Sequence, residues 1–276
     1  MSFRAGALEL VADAHGDPSA PPVLLLHGGG QTRGAWGGTA AALAERGFHA
    51  VALDLRGHGE SAWAPDGDYT VDAFAADVRA VAADLGGPPA LIGASLGGLA
   101  VLIAEGEAAT PGASAVVLVD ITPRVQPEGV GRIVTFMTSH PDGFATLEEA
   151  AEAVAAYVPH RPRPKDTAGL KKNLRLDPDG RYRWHWDPRL MTGEQRINAR
   201  RDPERLDRAA RGLRVPTLLV RGRMSDVVAE EDARHFLALV PHARYVDVSD
   251  AGHMVAGDRN DPFTGAVVEF LTRGAG

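Results

Sequence analysis

The chain has 276 residues and contains no cysteine. This absence excludes disulfides, thiolate zinc sites, iron–sulfur clusters and a cysteine nucleophile. It fits a reducing compartment, so we expect a cytoplasmic protein. The sequence also lacks an apolar run of the roughly 18 to 20 residues that a bilayer-spanning helix needs. Its first residues lack the apolar stretch that is typical of a signal peptide, and we therefore expect a soluble, unprocessed chain.

An excess of positive charge is also missing. The 29 basic and 36 acidic residues give a formal net charge of −7. Because an acidic protein repels phosphate backbones and anionic headgroups, we expect neither nucleic acid nor a membrane as a partner. Hydrophobic residues make up 45% of the chain, which is enough for a sizeable core. The length suits one large domain, with or without an inserted segment.

Short apolar runs alternate with helix-length segments along most of the chain. The runs cover residues 23–26, 50–53, 90–92, 116–119, 217–220 and 245–248. Continuous runs of this length are typical of strands that are buried on both faces of a parallel sheet. Helical spacing of apolar residues occurs in segments 36–46, 70–85, 96–106, 229–239 and 262–272. The alternation predicts an α/β fold with a doubly wound, mostly parallel sheet, preceded by an antiparallel strand near residues 7–11.

The pattern changes between Thr122 and Arg214, where prolines cluster and arginines are dense. Segments 128–139 and 146–157 have the spacing of amphipathic helices, and residues 177–180 predict the turn of a short hairpin. We predict a mainly helical lid at 122–213, inserted into a core formed by residues 1–121 and 214–276. Its helices could cover a pocket or meet a second subunit, so a monomer and a homodimer both remain open.

The most informative motif is a G-x-S-x-G pattern centred on Ser95, after the apolar run 90–92 and at the start of a predicted helix. A sharp strand-to-helix turn of this kind holds the serine in a strained conformation, and small neighbours are needed because other backbone passes close by. The turn also brings unpaired N–H groups of the helix to the serine. We predict that Ser95 is a nucleophile. The alternative is a glycine-rich turn with a serine that caps the helix.

A nucleophilic serine needs a base and an orienting carboxylate. His253 follows the last predicted strand, and the carboxyl ends of parallel strands meet at one edge of the sheet, so we predict His253 as the base. The alternative is a surface-loop histidine. Asp226 and Asp120 both follow predicted strands. Asp226 is favoured because it gives the chain order Ser, Asp, His; a structural role is the alternative for Asp120.

An oxyanion hole needs two donors. The N–H of Leu96, directly after the nucleophile, is the first predicted donor. The second should come from residues 27–30, His-Gly-Gly-Gly, which follow the first long apolar run. Glycines there let amides point into a site without obstruction, and we predict Gly29. The alternatives are a flexible loop and a phosphate-binding loop, although neither the G-x-x-x-x-G-K-S/T nor the G-x-G-x-x-G pattern is present.

Taken together, the motifs at 27–30, 54–61 and 93–98 and the pair Asp226 and His253 resemble the α/β-hydrolase superfamily in order and spacing. The resemblance implies a Ser-His-Asp triad, no metal or other cofactor, and an active site under the lid. It implies a structural role for the turn at 54–61, so that His58 is not catalytic. Ser95 replaces the aspartate of the members that open epoxides or remove halogens. Gly29 replaces the bulky residue of some members, which implies a roomier acyl site.

We expect a serine hydrolase that cleaves a carboxylic ester or lactone of a small hydrophobic substrate through an acyl-enzyme. Two alternatives remain open. One uses the same triad for carbon–carbon bond hydrolysis, perhydrolysis or a lyase reaction, and the other is a non-hydrolytic small-molecule receptor. The apolar character of the predicted pocket residues favours a neutral, hydrophobic substrate over a charged one. The predicted pocket residues are Trp36, Ile121, Phe136, Met137, Trp184, Trp186, Val227 and Met254.

Overall fold

A computed structural model describes residues 1–157, 170–197, 202–249 and 261–273. Within these ranges the chain forms one large sheet and a small separate hairpin. The strands are β1 (Ser2–Ala5), β2 (Leu8–His15), β3 (Pro22–Leu26), β4 (His49–Leu53), β5 (Ala90–Ala94), β6 (Ala115–Val119), β7 (Leu174–Leu176), β8 (Tyr182–Trp184), β9 (Thr217–Gly222) and β10 (Arg244–Val248).

The large sheet has eight strands in the order β1-β2-β4-β3-β5-β6-β9-β10. The pairs β1/β2 and β2/β4 are antiparallel, and every other neighbouring pair is parallel. The mostly parallel sheet and the antiparallel strand before it are therefore confirmed. Strand β1 is an addition, because its four residues carry too little apolar signal to be predicted. The carboxyl ends of β3, β5, β6, β9 and β10 all lie at one edge of the sheet.

Helices cover both faces of the sheet. The helices are α1 (Gly37–Glu45), α2 (Val71–Ala83), α3 (Leu96–Gly106), α4 (Pro127–Thr138), α5 (Leu147–Tyr157), α6 (Arg189–Thr192), α7 (Pro203–Gly212), α8 (Glu230–Leu239) and α9 (Asp261–Arg273), with 3₁₀ turns at Arg33–Trp36 and Leu170–Asn173. Residues of α1 and α9 pack on one face, and residues of α2, α3, α7 and α8 pack on the other. None of the helices in the described ranges has the length and apolarity to cross a bilayer.

The strands divide the hydrophobic core into two parts. Along β3, Val23 and Leu25 point to the face covered by α1 and α9, whereas Leu24 and Leu26 point to the opposite face. All four side chains are completely buried. Because each buried aliphatic side chain contributes about 1.5–3 kcal/mol, both faces of the central strands stabilise the sheet. This explains why the strands appear in the sequence as continuous apolar runs.

The β6–β9 connection (residues 120–216) contains α4, α5, the β7/β8 hairpin, α6 and α7. The predicted helices 128–139 and 146–157 are confirmed by α4 and α5. The hairpin turn is also present, since Asp177 N–H donates to the Arg181 carbonyl at 2.9 Å. Helix α7 was not predicted. It packs closely on α3, because a Cβ on Gly106 would lie 2.2 Å from the carbonyl oxygen of Ala209.

Candidate active site

Ser95 lies on a sharp turn between β5 and α3, with φ +47° and ψ −111°. Its N–H donates to the carbonyl of Val119 at the end of β6, at 3.0 Å. A non-glycine residue in this region of the Ramachandran map costs roughly 1–3 kcal/mol, and such strain concentrates at functional sites. The sheet and helix α3 hold the serine in this conformation at the carboxyl edge of the sheet.

The glycines of the motif are required by close packing. A Cβ on Gly97 would lie 2.4 Å from the carbonyl oxygen of Leu26, and a Cβ on Gly93 would lie 2.5 Å from backbone atoms of Gly97. A Cβ on Gly98 would lie 2.4 Å from Cγ2 of Ile121. The first two contacts are with backbone, which cannot move without disturbing the sheet. The glycines of the G-x-S-x-G motif are therefore required because helix α3 approaches β3 and β5 so closely.

The glycine loop at residues 27–31 follows β3, and its amides are almost all occupied. Gly28 N–H donates to Oε1 of Gln31 at 2.9 Å, and Gln31 N–H donates to the Gly28 carbonyl at 3.1 Å. Gly30 N–H donates to Nε2 of His58 at 3.1 Å. Among the described residues, nothing accepts a hydrogen bond from the N–H of Gly29 or of Leu96. These are the two amides that the sequence predicts as oxyanion donors.

Asp120 directly follows β6 and is completely buried, with φ +49°. One carboxylate oxygen accepts from the Gly222 N–H at 3.1 Å, and the other accepts from the Ser225 hydroxyl at 2.5 Å. Since Ala94 and Val119 are paired in the β5/β6 register, Asp120 follows β6 at the level where Ser95 follows β5. The carboxylate is thus fixed at the carboxyl edge of the sheet, where Asp120 follows the strand next to that of Ser95.

Asp226 has a different environment. It lies in the loop between β9 and α8, and its side chain is 40% exposed. Its Oδ2 accepts hydrogen bonds from the guanidinium of Arg132 in α4. The backbone carbonyl of Asp226 also packs against Gly129, where a Cβ would lie only 2.1 Å away. The described contacts of Asp226 therefore attach α4 to the β9–α8 loop.

A cavity of about 200 Å³ lies beside Ser95, bounded by the glycine loop, the start of α3 and the β6–β9 connection. Six of the predicted pocket residues line it: Ile121, Phe136, Met137, Trp184, Trp186 and Val227. Two stacked aromatic pairs form part of the wall, with ring centroids 4.9 Å apart for Trp184 and Trp186 and 4.3 Å apart for Phe136 and Tyr157. Within the described part of the chain, no charged side chain lines the cavity.

Residues 21–259 match the sequence model of a known family, which is described as the alpha/beta hydrolase fold. The chain belongs to the α/β-hydrolase fold family. An esterase from Mycobacterium tuberculosis is 30% identical over 87% of this chain and 79% of its own. A 3-hydroxybutyrate-oligomer hydrolase from Cupriavidus necator is 28% identical over 90% and 88%. An enol-lactonase crystal structure from Burkholderia xenovorans gives a TM-score of 0.75 at 27% identity, covering 98% and 99%.

Two predicted residues of this α/β-hydrolase, His253 and Met254, lie outside the described residues, between β10 and α9. A third, Trp36, does not line the cavity. Its side chain is completely buried on the other face of the sheet, where its ring centroid lies 6.0 Å from that of Phe263 in α9. Its position near the glycine loop suggested a pocket residue, but the 3₁₀ turn at Arg33–Trp36 directs the chain to the opposite face.

Other lining residues of the α/β-hydrolase were missed. Helix α4 contributes Val130, Ile133 and Val134 in addition to the predicted pair, and their helical spacing is a signal that could have found them. Tyr157 and Asn173 add polar groups. Burial, followed by the charge of Asp226, raises the pKa of Tyr157 to about 12, so its hydroxyl stays neutral. Among the described residues, no cluster of three His, Asp or Glu side chains could hold a metal ion.

Proposed function

We propose that this α/β-hydrolase is a serine esterase that cleaves carboxylic esters or lactones with small, neutral, apolar acyl groups. The observation that carries the proposal is the arrangement around Ser95. The serine is held at φ +47° beside an apolar cavity, and the amides of Gly29 and Leu96 have no hydrogen-bond acceptor among the described residues. The names of the Mycobacterium esterase and the Cupriavidus oligomer hydrolase support ester cleavage.

In the proposed mechanism, the Ser95 hydroxyl attacks the substrate carbonyl while His253 accepts its proton. The negative charge that develops on the carbonyl oxygen is stabilised by the N–H groups of Gly29 and Leu96, each worth about 3 kcal/mol in such sites. His253 then gives the proton to the departing alcohol. Water, activated by His253, attacks the acyl-enzyme and releases the acid. The apolar cavity holds the acyl group and excludes bulk water from the reacting carbonyl.

For the carboxylate that orients His253, we propose Asp120 in place of the residue that the sequence favours, Asp226. The orienting carboxylate of a triad is buried and hydrogen-bonded. Asp120 is completely buried and fixed by two hydrogen bonds, whereas Asp226 is 40% exposed and is bound by Arg132. Asp120 also follows the strand next to that of Ser95, at the same level of the sheet.

We further propose that the described part of the β6–β9 connection before α7 serves as a lid. Met137 and Trp186 reach the glycine loop, since a Cβ on Gly30 would lie 3.4 Å from an atom of each side chain. Most of the cavity lining that does not come from the sheet edge comes from this segment. Substrate size and shape are then selected by α4, α5 and the hairpin, while the chemistry stays at the sheet edge.

The test of this function is steady-state turnover of a panel of aryl esters, lactones and β-diketones by wild type and Ser95→Ala. We expect ester or lactone turnover, which Ser95→Ala lowers by at least about 10⁴-fold with the melting temperature retained. Ser114→Ala is the matched control, because Ser114 is exposed and directly precedes β6, at the opposite edge of the sheet from Ser95. Undiminished turnover by Ser95→Ala, cleavage of β-diketones alone, or binding without turnover would each contradict the proposal.

A further inference from the structure

Three buried histidines lie beside the glycine loop. His27 opens the loop, His58 belongs to the turn at residues 54–61, and His185 follows β8 in the β6–β9 connection. The ring centroids of His27 and His58 are 5.0 Å apart, and those of His58 and His185 are 6.2 Å apart. His27 and His58 are completely buried. The proposed reaction assigns a role to none of these three side chains.

The hydrogen bonds of His58 fix its tautomer. Its Nδ1 lies 3.0 Å from the carbonyl oxygen of Arg56, and since a carbonyl can only accept, Nδ1 carries the proton. The lone pair of Nε2 is then available, and it accepts the N–H of Gly30 at 3.1 Å. The imidazole therefore connects the turn at 54–61 to the glycine loop, and it can do so only when it is neutral.

The surroundings keep this ring neutral. Burial, together with the neighbouring His27 and His185, holds the pKa of His58 well below its usual range. His27 has the same tautomer, since its Nδ1 donates to the Gly28 carbonyl at 2.8 Å and its Nε2 accepts from Leu55 N–H at 3.0 Å. Burial also lowers the pKa of His27. Both rings therefore act as fixed acceptors of backbone N–H groups at neutral pH.

The hydrogen bond from Gly30 to His58 lies next to a proposed oxyanion donor in the glycine loop. Gly30 directly follows Gly29, whose N–H is the proposed oxyanion donor, and Gly30 has φ +75°. On the other side of Gly29, the N–H of Gly28 is held by Gln31. The amides before and after Gly29 are thus both bound to side-chain acceptors. The direction of the Gly29 N–H depends on these two anchor points.

We propose that His58 is a positioning residue of the oxyanion hole: by accepting the Gly30 N–H, it aligns the Gly29 N–H with the developing oxyanion. This inference rests on the proposed serine esterase function. It differs from the expectation that the turn at 54–61 is merely structural, because it assigns one side chain of the turn a specific effect on the transition state. Loss of the acceptor should impair stabilisation of the oxyanion more than it impairs substrate binding.

The experiment compares His58→Leu with His58→Gln on an activated short-chain ester. Leucine removes the acceptor, whereas the side-chain carbonyl of glutamine can replace Nε2. We expect His58→Leu to lower kcat about 10²-fold, the typical cost of a misplaced catalytic group, while KM changes less than about threefold. His58→Gln should recover most of the loss. Phenylboronic acid, which forms a tetrahedral adduct with a nucleophilic serine, should bind His58→Leu more weakly by a factor similar to the loss in kcat/KM.

His49→Leu is the matched control, because His49 is a buried histidine at the amino end of β4, on the opposite edge of the sheet. If His58→Leu does not fold, His58→Asn takes its place, since asparagine is polar but too short to reach Gly30. The inference is overturned if kcat stays within threefold of wild type, if glutamine gives no recovery, or if His49→Leu loses as much kcat. Ser95→Ala is measured in parallel, and its full activity would instead reject the serine esterase function.

Discussion

The carboxyl edge of the sheet and the β6–β9 connection are built by different kinds of contact. At the edge, backbone meets backbone: Gly97 touches the Leu26 carbonyl, and Ser95 and Asp120 both have positive φ. Where the connection lines the cavity, side chains meet side chains, as in the stacked pair of Trp184 and Trp186. Backbone contacts leave no room for substitution, whereas side-chain contacts can be repacked. The chemistry is thus encoded in glycine positions, and the cavity shape is encoded in exchangeable apolar residues.

The attachment of the two regions to each other also differs along their boundary. Helix α4 is joined to the β9–α8 loop by the ion pair of Arg132 and Asp226, whose side chains are 60% and 40% exposed. Water and salt screen such a pair, so it contributes little to stability. His185, by contrast, is buried, and its Nδ1 accepts the Gly59 N–H at 2.8 Å. The ion pair at α4 is therefore exposed to water and salt, whereas the hydrogen bond at the histidine cluster is shielded from them.

The largest expected effect tests which carboxylate orients His253: Asp120 at the carboxyl edge of the sheet, or Asp226 where the connection meets the β9–α8 loop. Asp120→Asn should lower kcat by about 10³–10⁴-fold, because a neutral amide cannot stabilise the imidazolium and favours the wrong histidine tautomer. Asp226→Asn should change kcat less than about fivefold, since it removes only the exposed ion pair. Steady-state kinetics of both variants on one aryl ester measures the difference. If Asp226→Asn lowers kcat more than Asp120→Asn does, Asp226 is the orienting carboxylate, as the chain order favours.

The next effect contrasts two glycines. Gly97→Ala places a Cβ 2.4 Å from the Leu26 carbonyl oxygen, whereas the position of a Cβ on Gly131 in α4 is open. We expect Gly97→Ala to destabilise the fold by about 3 kcal/mol or more. Gly131→Ala should stabilise it by about 0.5–1 kcal/mol, because alanine loses less backbone entropy in a helix. Urea denaturation gives both values, and equal effects would remove the distinction between the two regions.

Residues at the edge could be predicted from the sequence because their constraints are local. Gly93 and Gly97 flank Ser95 at fixed spacing, and a buried apolar run precedes them, so consecutive residues are enough to predict the turn. The same holds for the glycine loop, where the two amides predicted as donors have no acceptor among the described residues. The strands themselves follow from similar local patterns, since each apolar run forms one strand, whereas their order in the sheet does not.

Other features depend on contacts between distant residues, and the sequence does not contain them in a local form. Trp36 is apolar and near the glycine loop, but the path of the chain around the sheet decides which face receives it. Asp120 and Asp226 both follow strands, and only the fold shows that one is buried and the other is paired with Arg132. Tyr157 reaches the cavity through its stacking with Phe136, a partner 21 positions away.

The smallest effect concerns the histidine that joins the two regions. Burial, followed by the charge of His27, lowers the pKa of His185 to about 4. In the unfolded chain its pKa should be about 6.5. Between these values the unfolded state binds more protons than the folded state, so stability rises with pH and is lost as the pH falls from about 6.5 to 4.

His185→Gln removes this titration. The free energy of unfolding of the wild type should therefore fall more steeply than that of the variant, by up to about 1.4 kcal/mol per pH unit within this window. Urea denaturation at pH 7.5, 6 and 5 measures both slopes. Above pH 7 the difference between the two proteins should be constant, because His185 is neutral in both states. Parallel profiles at all three pH values would mean that acid does not act on the junction between the connection and the sheet edge through this histidine.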